Sequence, residues 1–456
     1  MHISLCATAQ NITILQHALS TSGVSAVYLT DKNYTNVSQA FNKRFTISPI
    51  AVVFPTSVEQ VSAAVAAGAD QNLEVVARSG GHSYIANGLG GKNGSLVVDM
   101  SKLKSITVRS FNNTAVIETG NRLRDVALAL NAKGRALPHR TCSYMSGQQF
   151  WVGIGGHSGY GGFGFTSRAW GLLLDTVRSA TVVLGNCTII SASANVNSDL
   201  FWIPTTSTSI AAFQKFASTN IPPEFGAELV FGKGPSSGKV SFGLTGAYYS
   251  NPTALNSILA PYLKALPKVS SNTTMLGSYI NSVAVLSGSP LNTSTAPDGS
   301  DTFYTKSLMT PEGAPMSSAA ITVFVTYMAK QGFSSKTDWF VDVELYGGAN
   351  SAINAVPLDA TAFAKRDTLF TIQFYASSAT GKPPYPGTGF TFMDGMVASI
   401  VNNSPSNWNY GAYLNYIDDR LANTKKLYYG THYPRLESIK AAVDPQNTFC
   451  YPVGVA

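Results

Sequence analysis

Two glycine-rich segments that each contain a histidine are the first candidates for chemistry in this sequence. The run RSGGHSY occupies residues 78–84, and the run VGIGGHSGYGGFGF occupies residues 152–165. Because glycine costs backbone entropy inside helices and strands, such clusters favour a close approach of the backbone to a ligand. The second run matches neither the phosphate-binding pattern GxxxxGK[ST] nor a GxGxxG run that opens a helix after a first strand. The pattern therefore predicts a ligand site without identifying the ligand.

A strand near residue 340 brings a second set of reactive side chains together. In FVDVELY the period of two places four side chains on one face: Phe340, Asp342, Glu344 and Tyr346. Taken alone, each candidate has a plain structural alternative. A histidine such as His82 is often a buried, hydrogen-bonded core residue, and in a chain with 21 tyrosines most of them pack.

The first glycine run is placed by a predicted βαβ unit. The stretch AVVFPTSVEQVSAAVAAGADQNLEVVARSGGHSY reads as a strand, a helix that starts at Pro-Thr-Ser, and a second strand. Val58, Val61 and Val65 form the apolar side of that helix. The glycines and His82 are thus predicted at the carboxyl end of a strand. The strands GSLVVDM and TAVIETG follow, and then a helix RLRDVALALNAKG that stops at Gly134.

The pattern of predicted elements changes after about residue 225. Four further strands are predicted from alternation: VSFGLTGAYY, ITVFVTYMA, DWFVDVELYGG and LFTIQFYASS. They are separated by helical stretches and by loops rich in Ser, Pro and Gly. This half of the chain is predicted to be α+β, built on an antiparallel sheet.

Composition and charge limit the classes of function. The chain has 456 residues, of which 45% are hydrophobic and 12% charged, so it is predicted to be globular with two domains. The net charge of +7 comes from scattered residues, which argues against nucleic-acid binding. Asp175 and Arg178 interrupt the most apolar run, so no membrane span is predicted.

Glycosylation acceptors and cysteines indicate the cellular compartment in which the protein works. Nine N-x-[ST] acceptors favour a secreted glycoprotein, although MHISLCATAQ lacks the features of a signal peptide. The nine acceptors are Asn11, Asn33, Asn36, Asn93, Asn112, Asn186, Asn272, Asn292 and Asn402. The four cysteines show no metal-ligand spacing. Three of them, Cys6, Cys187 and Cys450, are expected to be one disulfide plus a buried thiol.

A set of motifs occurs in a characteristic order: RSGGHSY, HRTC, VGIGGHSGYGGFGF with GLLLD behind it, DLFW, VELYGG, YLNYID and YYGTHYPRLESIKAAVDPQNTF. This order resembles the berberine bridge enzyme-like branch of the vanillyl-alcohol-oxidase flavoproteins, particularly the fungal oligosaccharide oxidases. The resemblance implies an α+β, two-domain PCMH-type FAD-binding fold with an antiparallel-sheet substrate domain. Residues 1–208, completed by 415–456, would bind FAD, and residues 209–414 would bind substrate.

The same resemblance implies roles for individual residues. His82 takes the position of a histidine joined to the flavin 8α-methyl group, and Cys142 that of a cysteine joined to flavin C6. Further FAD contacts are implied at Arg78, Ser79, Gly80, Gly81, Ser83, Val152, Gly153, Gly155, Gly156, His157 and Gly162. Sugar contacts are implied at Tyr84, Phe340, Asp342 and Gln373.

The implied reaction is oxidation of an alcohol, or of a carbohydrate's anomeric hydroxyl, to a lactone, with dioxygen reduced to hydrogen peroxide. Tyr416 takes the position of the catalytic base, and Glu344 that of its partner carboxylate. A phenol serves as a base only where its pKa of about 10 is depressed. A carboxylate raises the pKa of a neighbouring phenol, so Glu344 can act only as a hydrogen-bonding proton acceptor.

Two departures from the family pattern and two alternative functions accompany this prediction. SYMSGQQFW, residues 143–151, lies between Cys142 and the second glycine run, and IPTTSTSIAAFQ replaces the glycine-rich strand expected after DLFW. An inactive relative that does not load FAD is therefore one alternative. The other is an FAD-linked oxidoreductase of secondary metabolism, acting on alkaloids or polyketides.

Overall fold

The structure is a computed structural model that describes residues 2–138, 152–193, 210–266, 271–286, 291 and 300–455. Cys142, the inserted stretch 143–151 and most of the segment after DLFW lie outside these ranges. Thirteen helices and thirteen strands make up the described part. Within it, no helix combines the length and the apolar character that crossing a bilayer requires.

A four-stranded sheet forms the N-terminal layer. Its strands are β1 (Ser25–Tyr28), β2 (Ala51–Phe54), β3 (Val75–Arg78) and β4 (Leu96–Asp99), in the order β1-β2-β4-β3. The strands β2, β4 and β3 are parallel, and β1 is antiparallel to β2. Helix α3 (Val58–Ala69) connects β2 to β3, which confirms the predicted βαβ unit. Its N-cap is Ser57, whose Oγ accepts a hydrogen bond from the Gln60 amide at 3.3 Å.

Apart from the 20-residue first helix, the helices and hairpins around this sheet are short. The helices are α1 (His2–Thr21), α2 (Tyr34–Val37), α4 (Leu123–Asn131), α5 (Ile154–Gly159) and α6 (Ser167–Trp170). The hairpins are β5 (Ile106–Arg109) with β6 (Thr114–Ile117), and β7 (Ser179–Val183) with β8 (Ile189–Ser193). The predicted stop after α4 is confirmed, because Gly134 takes a φ of +62° there.

The C-terminal half is built on a five-stranded antiparallel sheet in the order β10-β9-β12-β13-β11. The strands are β9 (Phe225–Lys233), β10 (Val240–Tyr248), β11 (Phe303–Pro311), β12 (Thr337–Leu345) and β13 (Thr368–Ser378). Its helices are α7 (Ala211–Ala217), α8 (Leu255–Ala265), α9 (Tyr279–Leu286), α10 (Ser318–Tyr327), α11 (Ala352–Ala355), α12 (Gly387–Val401) and α13 (Tyr433–Val443).

One predicted strand is wrong. ITVFVTYMA is not a strand: its first seven residues complete α10, and a π-helical turn, Met328–Gly332, follows. Ser317 caps α10 by accepting from the Ala320 amide at 3.0 Å. The side chains of Ala320, Ile321 and Phe324 are buried at helical spacing. Capping and packing therefore override the strand preference of the β-branched residues.

The two faces of the five-stranded sheet differ in chemistry. One face carries the larger hydrophobic core, to which α7, α8, α10 and α12 contribute. Alternate residues of β12 point the other way, and Phe340, Asp342 and Glu344 lie on that second face beside Gln373 of β13. We call the second face the polar face. The division into two domains with boundaries at 208 and 415 stays a prediction.

Candidate active site

A cavity of about 460 Å³ lies where both glycine runs meet the C-terminal segment, a size typical of ligand sites. Most of the residues assigned to FAD line it: Arg78, Ser79, Gly80, Gly81, His82, Ser83, Val152, Gly153, Gly155, Gly156 and His157. Tyr84 lines it as well. Gly162 is not among the lining residues, because it packs on Leu173 and on the backbone of His157.

The two glycine runs cross each other at Gly80 and Gly153. A Cβ atom on Gly80 would lie 2.3 Å from the amide nitrogen of Gly153, and one on Gly153 would lie 2.3 Å from that of Gly80. Backbone contact within the protein thus requires glycine at both positions. At Gly156, by contrast, no heavy atom stands within 4 Å of an added Cβ. That part of the lining leaves open space of the kind a ligand fills.

Gly80→Ala is expected to lower the free energy of unfolding by about 3 kcal/mol, because the added methyl group meets backbone that cannot move aside. Urea denaturation followed by circular dichroism measures the change. Gly159→Ala is the matched control, since an added Cβ there meets nothing within 4 Å. Equal stability of the two variants would contradict the crossing.

Side chains around the first glycine run fix its path. The Ser79 hydroxyl donates to the carbonyl of Thr119 at 2.6 Å and accepts from the Gly155 amide at 3.3 Å. Arg78 pairs with Asp99 at 2.5 Å, and the Arg122 guanidinium donates to the carbonyl of Gly80. Burial lowers the pKa of Arg122 from its ordinary value. This arrangement holds the run rigidly along one wall of the cavity.

His82 lies in the wall of the cavity with its ring stacked on that of Phe41. The ring centroids are 3.7 Å apart at an interplanar angle of 26°. Tyr84 continues the aromatic cluster, since its ring lies 6.4 Å from that of Phe41 and 6.2 Å from that of His82. No motif or spacing indicated Phe41, because only the fold brings it to His82.

The predicted base and its partner carboxylate are in contact. The Tyr416 hydroxyl donates to Glu344 Oε1 at 2.6 Å, and both side chains are buried. Tyr416 belongs to the 3₁₀ turn Leu414–Tyr416, and Glu344 lies in the central strand β12. The bond joins positions 72 residues apart. A phenol hydrogen-bonded to a carboxylate can pass its proton to that acceptor.

A neighbouring phenol shows the electrostatic character of this region. Tyr346 follows Glu344 on the polar face and is fully buried. Burial, together with nearby Tyr413 and Glu344, raises the pKa of Tyr346 well above its usual value. Burial and the neighbouring Glu344 therefore both keep the Tyr346 phenol protonated.

The residues assigned to sugar contact extend from the base along the polar face. The Tyr84 ring is parallel to that of Tyr416, with centroids 6.4 Å apart, and its hydroxyl accepts from Gln373 Nε2 at 3.3 Å. Phe340 stacks on Tyr375 at 4.8 Å, and Gly232 opposes it on β9. Asp342 is buried opposite Gln373.

Several residues of this region were not found from the sequence. Glu228 of β9 is directly opposite Glu344 and buried. Asn415 donates to the carbonyls of His157 and Tyr160 and to the Tyr413 hydroxyl, at 3.5, 3.2 and 2.9 Å. Alternation in FGAELVFGK could have indicated Glu228. The only sequence feature that could have indicated Asn415 is its position directly before Tyr416, the candidate base.

Comparison with known proteins agrees with this geometry. A family model described as an FAD binding domain matches residues 49–193, and one described as berberine and berberine like matches residues 412–456. The chain is 33% identical to a chitooligosaccharide oxidase of Gibberella zeae, covering 91% of this chain and 89% of the relative. It is 34% identical to a carbohydrate oxidase of Microdochium nivale, covering 97% of this chain and 94% of the relative.

Solved structures give the same result. A chitooligosaccharide oxidase superimposes with a TM-score of 0.86 at 30% identity, covering 97% of this chain and 99% of the other. A glucooligosaccharide oxidase from Acremonium strictum superimposes with a TM-score of 0.84 at 30% identity, covering 97% and 98%. That enzyme carries a 6-S-cysteinyl, 8α-N1-histidyl FAD. The expected PCMH-type FAD-binding fold is confirmed.

Proposed function

Because this chain belongs to the berberine bridge enzyme-like family of FAD-linked oxidases, we propose that it oxidises the anomeric hydroxyl of a reducing oligosaccharide to a lactone. It is an FAD-dependent oxidoreductase acting on carbohydrate donors. The substrate loses two electrons and two protons, and dioxygen takes them up as hydrogen peroxide. The observation that carries the proposal is the 2.6 Å bond from Tyr416 to Glu344 on the polar face.

The lining of the cavity fits FAD. Open space at Gly156 and the size of the cavity leave room for a ligand along two stretches of backbone. We propose that His82 holds the flavin covalently, and that Cys142, which lies outside the described residues, forms a second link. Bound FAD supplies a two-electron acceptor for hydride from the anomeric carbon and a site for reoxidation by dioxygen.

The chain's own residues handle the proton. Tyr416 would take the proton of the anomeric hydroxyl while Glu344 accepts the phenolic proton through its short hydrogen bond. Both groups are buried, so water competes little for either one. Glu344 does not activate the phenol by lowering its pKa, because a carboxylate has the opposite effect. Its contribution is to receive and hold a proton.

Aromatic and amide groups on the polar face would orient the sugar. Phe303, Tyr375 and Phe340 form a stack of three rings, with centroid separations of 4.6 and 4.8 Å. β9 places Gly232 opposite Phe340, so this cross-strand neighbour adds no side chain to the stack. Aromatic faces pack on the apolar faces of pyranose rings. Tyr84, Asp342 and Gln373 offer hydrogen-bonding groups next to the stack.

Phe340→Ala is expected to weaken sugar binding roughly tenfold, which corresponds to about 1.4 kcal/mol of lost stacking. The limiting rate of flavin reduction should stay within about threefold, because the substituted side chain is not the base. Anaerobic stopped-flow titration with the sugar separates the two constants. Phe242→Ala, which removes a half-exposed ring on β10, serves as the control. An unchanged binding constant in Phe340→Ala would remove this residue from the sugar site.

The proposed function is tested by incubating the purified yellow protein anaerobically with cellobiose, chitooligosaccharides and xylooligosaccharides. Bleaching of the flavin absorbance by at least one sugar is expected, with peroxide formed after air is admitted. Bleaching by an aromatic alcohol or alkaloid but by no sugar would favour the alternative in secondary metabolism. A folded, colourless protein would favour the inactive alternative.

We also propose that the protein is secreted and glycosylated. Every acceptor asparagine whose side chain the structure describes is exposed: Asn33, Asn36, Asn93, Asn112, Asn186, Asn272 and Asn402. Enzymes that act on extracellular polysaccharide fragments need this location. A mass shift of the secreted protein after treatment with an endoglycosidase tests the glycosylation.

A further inference from the structure

The segment that carries Tyr416 runs along an edge strand without becoming part of the sheet. β11 is one of the two edge strands of the five-stranded sheet. It exchanges two backbone hydrogen bonds of 2.8 Å between Met309 and Gly411. Beyond that bridge, Tyr416 reaches from a short turn to Glu344 on β12, two strands further in. Its position therefore depends on side chains that hold the turn.

Adjacent residues of β11 hold the two ends of this turn. The Tyr413 amide donates to the Ser307 hydroxyl at 2.8 Å. At the other end, Lys306 Nζ donates to Asp418 Oδ2 at 2.8 Å. Because successive residues of a strand point to opposite faces, Ser307 and Lys306 bind the turn from opposite faces of the sheet edge.

Lys306 is the ionic centre of a buried cluster. Its ammonium group also donates to Asp394 Oδ1 of α12 at 2.9 Å and to the Tyr304 hydroxyl at 3.0 Å. Asp418 is 2% exposed and accepts two more bonds of 2.8 Å, from the Tyr304 hydroxyl and the Arg420 amide. Loss of the ammonium would leave Asp418 and Asp394 without the cation that they share. Asp394 is partly exposed, with 46% of its side chain accessible, but Asp418 is buried, and a buried carboxylate that loses its partner cation is strongly destabilised.

We propose that Lys306 is a positioning residue for the oxidation: through Asp418 it fixes the turn 414–416, so that the Tyr416 phenol stays bonded to Glu344. This inference rests on the proposed function, because it takes Tyr416 as the base. Lys306 acts through Asp418: the hydrogen bonds described for its ammonium group go to Tyr304, Asp394 and Asp418, and Tyr416 and Glu344 are not among them. Misplacement of a reacting group by about 1 Å can cost roughly 100-fold in rate.

A double-mutant cycle tests the proposal on the flavin-loaded protein. Lys306→Met and Asp418→Asn are each expected to slow the limiting rate of flavin reduction by roughly 10- to 100-fold. The sugar's binding constant should stay within about threefold. The double variant should be no slower than the slower single variant, because both changes remove one interaction. Singles that leave the rate unchanged, or effects that multiply in the double variant, would overturn the proposal.

Hydrogen exchange gives a readout that needs no sugar. Amide exchange in residues 411–420 is expected to rise in both single variants relative to the unsubstituted protein. Unchanged exchange in that segment would overturn the anchoring, whether or not any sugar is oxidised. If Lys306→Met does not fold, the isosteric Asp418→Asn decides by the same measurements. Lys425→Met is the control, since it breaks an exposed ion pair with Glu437 and should change neither rate nor exchange.

Discussion

Tyr416→Phe is expected to lower the limiting rate of flavin reduction by a sugar roughly 10²- to 10⁴-fold, the range that a general base contributes. The substitution removes only the hydroxyl that donates to Glu344 at 2.6 Å and leaves the ring beside Tyr84. Sugar binding should therefore change little. Anaerobic stopped-flow measurement at saturating sugar gives the rate, and the dependence on sugar concentration gives the binding constant.

Tyr410→Phe is the matched control, because it removes a phenol upstream of the same turn. A rate in Tyr416→Phe close to that of the control would show that Tyr416 only packs. Glu344→Gln separates proton acceptance from geometry. The amide can still accept a hydrogen bond but cannot take a proton, so the rate should fall although the phenol loses a neighbouring negative charge. An unchanged rate in Glu344→Gln would exclude proton acceptance by this residue.

His82→Ala is expected to abolish attachment of flavin at position 82. The imidazole lines the cavity and stacks on Phe41, and alanine offers no nucleophilic group at that position. After acid denaturation and proteolysis, mass spectrometry of the peptide that spans residue 82 should show an FAD adduct in the unsubstituted protein. The adduct should be absent from the variant. The melting temperature should also fall, because a tethered ligand stabilises the folded chain.

His17→Ala, at an exposed position on α1, controls for loss of a histidine. Cys142→Ser shows whether a second covalent link exists. If flavin stays on acid-treated His82→Ala but leaves the acid-treated double variant His82→Ala/Cys142→Ser, the second link is at Cys142. An unsubstituted protein that turns colourless on acid treatment would contradict both covalent assignments.

Interactions along the chain made much of the fold predictable. The βαβ unit that delivers the first glycine run follows from a local helix start and from apolar spacing, which neighbouring residues determine. The common face of Phe340, Asp342 and Glu344 follows from the period of a strand. The wrong strand at ITVFVTYMA shows the limit. β-branched residues fit a strand locally, but a Ser317 cap and a buried face make them a helix.

By itself, the sequence determined the order of motifs, and with it the family, the cofactor and the candidate residues. Only the tertiary structure decided that Gly80 crosses Gly153, that Phe41 covers His82, and that Gly162 supports packing outside the cavity lining. It also placed Tyr416 on Glu344 and Lys306 on Asp418. Periodicity and capping are set by residues a few positions apart, whereas these contacts join segments that meet only when whole sheets and helices pack.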